Sequence, residues 1–77
     1  MDYKRILKEI LNIGREMLRA GAEVSRVEDS MYRMCKSYGF THADIWVIYS
    51  NIQATVETAE GDIITQIRHI SSTSSNF

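Results

Sequence analysis

The feature that most restricts what this chain can fold into is a change of hydrophobic period at Gly39. Before it, apolar residues recur at the 3.6-residue spacing of a helix; after it, they fall into the short runs and alternation of strands. A helical half and a strand half of similar size can each bury only one side, and the side available is the other half. This predicts the α+β class: a helical hairpin packed on a three-stranded antiparallel sheet.

In the helical half, Tyr3, Ile6, Leu7, Ile10, Leu11, Ile13, Met17 and Leu18 define one face of a helix over 3–20. Gly14 lies inside it at a cost of about 1 kcal/mol relative to Ala, which marks it as a place where another part of the chain comes close. Gly21 fits the left-handed position after the helix. A second helix follows through Val24, Val27, Met31, Met34, Cys35 and Tyr38, and Gly39 ends it in the same way. Its start has two readings, a capping box of Ser25 with Glu28 or an opening at Glu23. The short junction makes the two helices a hairpin.

In the strand half, Ala43 to Tyr49 is apolar at both parities, with Ile45, Val47 and Tyr49 on one face and Trp46 and Ile48 on the other. Two helices on one face cannot cover both sets, so Trp46 and Ile48 are the candidate interface residues and a homo-oligomer is expected. Ser50 and Asn51 form a turn. Ile52, Ala54 and Val56 then alternate with polar residues, Glu60-Gly61-Asp62 turns the chain again, and Ile63 to Ile70 gives the third strand. A single domain is expected over 1–70, with a polar tail over 71–77 that should fray.

At 77 residues the chain can build one core, and its net charge of −1 shows no basic excess. Lys4, Arg5, Lys8, Arg15 and Arg19 are interleaved with Asp2, Glu9 and Glu16, which describes a solvated helix face and not a nucleic-acid surface. A lone Cys35 on an apolar helical face reads as a buried, inert thiol. His42, Asp44 and His69 match no zinc spacing, although some sheet orders would bring the two histidines together. No nucleophile, base and electrophile can be assembled, so no enzyme activity, metal or cofactor is expected. No apolar run approaches the ~18–20 residues that cross a bilayer, so this stretch is expected to be soluble.

The densest run of charge is Gly21-Ala22-Glu23-Val24-Ser25-Arg26-Val27-Glu28-Asp29. With Gly14, Arg15 and Leu18 upstream, it resembles the pattern G-R-x-L-L-x-x-G-A-E-x-x-R-V-E-D/E of the threonine/serine exporter family. Gly14, Arg15, Leu18, Gly21, Ala22, Glu23, Arg26, Val27, Glu28 and Asp29 stand in matching places, and the resemblance extends from about Ile10 to Ile70.

The resemblance implies the soluble N-terminal domain of a bacterial membrane exporter, on the cytoplasmic face, truncated before the transmembrane portion that would be its partner. It also implies a hydrolase-like character, which the residues do not support. The expected role is regulatory or in assembly, with a small hydrolase or an oligomerisation module as alternatives. Glu23, Arg26, Glu28 and Asp29 are the candidate binding residues. At helical spacing Arg26 shares a face with Glu23 and Asp29 and can pair with them, so the cluster is expected above all to hold the start of the helix, and otherwise to salt-bridge a partner subunit or to bind the carboxylate and ammonium groups of threonine or serine.

Overall fold

The first helix, α1 (Tyr3–Arg19), opens on Asp2, whose carboxylate accepts a hydrogen bond from the Arg5 backbone N–H at 3.1 Å and so satisfies one of the donors that a helix start leaves unpaired. In this computed structural model, which describes residues 2–71, α1 buries Leu7, Ile10, Leu11, Gly14 and Leu18 along one stripe. The chain then turns through Gly21, at a φ of +95°, a left-handed value that a side chain would disfavour. The predicted glycine boundary is in place.

Helix α2 (Val24–Ser37) buries Val27, Met31 and Cys35 and ends before Gly39, whose φ of +96° repeats the device. Glu23 is its N-cap residue in backbone geometry, but no side chain caps the first turn. The capping box of Ser25 with Glu28 does not form, because both residues already lie inside the helix. At Gly14 the second helix and the sheet both come close: a Cβ there would stand 2.5 Å from the Met31 sulfur and 3.3 Å from Ile52 Cδ1. That close approach is the reason for a glycine inside α1.

Three strands follow in chain order, β1 (His42–Ile48), β2 (Asn51–Glu57) and β3 (Ile63–His69), forming an antiparallel meander with β2 in the centre. Tyr49 falls in the tight turn with Ser50 and not on β1, and Asn51 opens β2 instead of ending the turn as the sequence suggested. Ile52, Ala54 and Val56 of β2 and Val47 of β1 face the helices and are buried. Phe40, almost wholly buried, fills the space where α2 passes into β1, and its ring packs against Tyr3 at 5.4 Å between centroids. Each such large side chain contributes roughly 1.5–3 kcal/mol by leaving water.

Two polar bonds tie α1 to the inner face of β3. The Gln66 side chain donates to the Lys4 carbonyl at 3.0 Å, and Arg68 donates to the Asn12 side chain. These place the Lys4, Lys8 and Asn12 side of α1 along β3. The arrangement is the α+β fold expected from the change of period. The expected tail over 71–77 lies, apart from Ser71, outside the described residues.

Candidate functional site

The charged run at the helix junction folds into three separate arrangements. Glu28 is half-buried and its carboxylate accepts a hydrogen bond from the Val47 backbone N–H at 3.0 Å. Val47 faces away from β2 at that atom, so a side chain from α2 satisfies a donor on the open edge of the sheet. Asp29 pairs with Arg33 at 3.0 Å, one helical turn on, and both are largely exposed. Arg26 has no ionic partner among the described residues. The pairing of Arg26 with Glu23 and Asp29 that the spacing allows does not form, and Asp29 takes Arg33 instead at i,i+4.

Glu23 and Arg26 are both exposed and, with Met17, Ala20, Gly21 and Ala22, line an open groove of about 460 Å³ at the junction. The sequence thus named four residues as one cluster, and the structure divides them between a groove, a surface pair and an anchor to the sheet. The signal for Glu28's role lay outside its own segment, in the strand it reaches.

The sheet's outer face, turned away from the helices, carries His42, Asp44, Trp46 and Ile48 from β1, Asn51, Gln53, Thr55 and Glu57 from β2, and Ile63, Thr65, Ile67 and His69 from β3. Trp46 is 50% exposed and Ile48 40%, as their parity predicted, but Ile63 at 71% and Ile67 at 54% are more open still. The sequence reading missed these two. They were legible from the alternation of β3 once Ile70 was recognised as its buried end.

The catalytic and metal candidates do not converge. His42 lies beside Glu57, Nδ1 to Oε1 at 3.3 Å, while the pairing register sets His69 level with Asn51 and Ile48 at the opposite end of the face. The two histidines are separated by roughly 20 Å of strand, which corrects the idea that a sheet order might join them. No group of three potential metal ligands is found among the described residues. Cys35 is fully buried, and that burial pushes its thiol up to about 11, away from a reactive thiolate.

No helix among the described residues is long and apolar enough to cross a membrane. A protein-family model whose description reads "Putative threonine/serine exporter" matches residues 8–77. No curated protein and no solved structure shows a match.

Proposed function

Since the chain belongs to the threonine/serine exporter family, we propose that it is a cytoplasmic module that regulates or assembles an amino-acid exporter, with transport carried by a membrane-embedded portion of the same protein. The single observation behind this reading is the outer sheet face, where Trp46 and Ile48 of β1 and Ile63 and Ile67 of β3 are all exposed, on either side of the polar outer face of β2. A module of this kind works by being covered, and Trp46 and Ile48 are its docking residues. A translocation path needs segments that satisfy their own backbone within lipid, and neither α1 nor α2 is long and apolar enough to be one.

Glu23 and Arg26, exposed at the junction groove, are the positions where charges of a partner subunit, or the ammonium and carboxylate of threonine or serine, would be met. Glu28 and Asp29 lie outside that groove, where Glu28 joins α2 to β1 and Asp29 pairs with Arg33 within α2. The module is not an enzyme in this reading, and assays with ester and peptide substrates are expected to show no turnover above background.

The test is threonine and serine export by the intact transporter carrying Trp46→Ala with Ile48→Asp. Export should fall several-fold at unchanged protein abundance. Full export from that variant would refute the docking reading.

A further inference from the structure

The two open edges of the sheet are not alike. On β1, the outward N–H of Val47 is taken by Glu28, and the groove beside Ala43 and Ile45 is lined by Glu28, Asp29 and Asp44, a polar and acidic guard. On β3, the Ile70 N–H bonds the Ser50 carbonyl at 2.9 Å, toward β2. By the alternation of an antiparallel ladder, the N–H and C=O groups of Ile63, Thr65, Ile67 and His69 therefore point away from the sheet. No hydrogen bond to any of these four N–H groups is found among the described residues.

The side chains along this edge contain no proline, lysine or acid on the outer face, the features that ordinarily prevent a strand from pairing with another chain. Their order is also self-complementary. If β3 meets a second β3 antiparallel with the two-fold axis at Thr65, Ile63 stands directly opposite the partner subunit's Ile67, and Ile67 opposite the partner subunit's Ile63. The most exposed isoleucines of the outer face thereby become cross-strand neighbours, a pairing that stabilises sheets. Thr65, uncharged, faces its own copy.

We propose that this chain pairs with a second copy of itself through β3, joining two three-stranded sheets into one continuous six-stranded sheet. The pairing forms about six backbone hydrogen bonds. It buries well under the roughly 800 Å² per partner of a stable complex, so it is weak in solution and strengthens when copies are held close. Lys4 and Lys8, on the side of α1 that lies along β3, repel their counterparts, and salt relieves this. The proposal does not rest on the transport reading, and its failure would leave that reading intact.

Sedimentation equilibrium of the 77-residue chain, up to about 1 mM and at about 0.5 M salt to screen those lysines, tests it. A reversible monomer–dimer equilibrium is expected, abolished by Ile63→Lys with Ile67→Lys, which places like charges opposite one another. Both residues are exposed, so the variant should keep its melting temperature. In parallel, Thr65→Cys should form an intermolecular disulfide under mild oxidation, while Trp46→Cys should not. A chain that stays monomeric throughout, a dimer that survives the double lysine substitution, or a cross-link at Trp46 and not at Thr65 would each overturn the proposal.

Discussion

Replacing Glu28 separates a structural charge from a ligand-binding one. Its carboxylate accepts from the Val47 N–H at 3.0 Å across 19 residues of sequence, so it joins α2 to the edge of the sheet. A hydrogen bond to a charged acceptor is worth about 1.5–3 kcal/mol when it is shielded from water. Glu28 is only half-buried, so Glu28→Ala should cost about 1–2 kcal/mol. In a domain of this size each kcal/mol shifts the melting temperature by about 4–8 °C, which predicts a fall of roughly 5–15 °C. Glu28→Gln keeps an acceptor oxygen in place and should lose less than about half of that. Thermal unfolding gives the first number, and native-state hydrogen exchange at Val47 gives the local one, with faster exchange expected in the Ala variant. Unchanged melting and unchanged Val47 exchange in Glu28→Ala would refute the anchoring role and return Glu28 to the list of binding residues.

Other substitutions bear on neighbouring features. Arg26→Ala, which would cost about 1–3 kcal/mol if the side chain were paired, should instead change stability by less than about 0.5 kcal/mol in urea unfolding, because Arg26 is exposed and unpaired among the described residues. Gly14→Ala gains about 1 kcal/mol of helix propensity but drives a methyl group into the Met31 sulfur. With Met31 fully buried the overpacking should win by up to about 2 kcal/mol, and a double-mutant cycle with Met31→Val should recover part of the loss. Burial raises the Cys35 thiol from 9.0 to about 11, so the unfolded chain gives up this proton first and stability should fall as pH rises through that interval, with no contribution below it. The part of that fall due to Cys35 should vanish in Cys35→Ala, measured as melting temperature against pH.

The elements of this fold were written locally, and the contacts between them were not. Gly21 and Gly39 fix where the helices end by backbone geometry alone, so the helical boundaries could be read within a residue. The alternation of Ile52, Ala54 and Val56 fixed the buried face of β2 for the same reason. Glu28 misled because a carboxylate three residues after a serine has a familiar local use, while its actual partner is a backbone group on β1 that no local pattern names. Arg33 took Asp29 from Arg26, a competition between two nearby arginines that spacing alone does not decide. The bonds from β3 to α1 through Gln66 and Arg68 were likewise invisible, since they join residues far apart in the chain.

Those two bonds also set the order in which the molecule can assemble. Helix hairpin and strand meander each connect neighbours through short loops, so their closure entropies are small and either can form early. The contact of α1 with β3 spans 62 residues at Gln66 and 56 at Arg68 and is the one that closes the chain on itself. Its closure carries the largest loop-entropy cost and is therefore expected late in folding. A force applied at the C-terminal end of β3 would load this clasp first, and because Leu7, Ile10 and Leu11 of α1 share one core with Ile52, Ala54 and Val56, its failure would carry the strain straight into the buried interior.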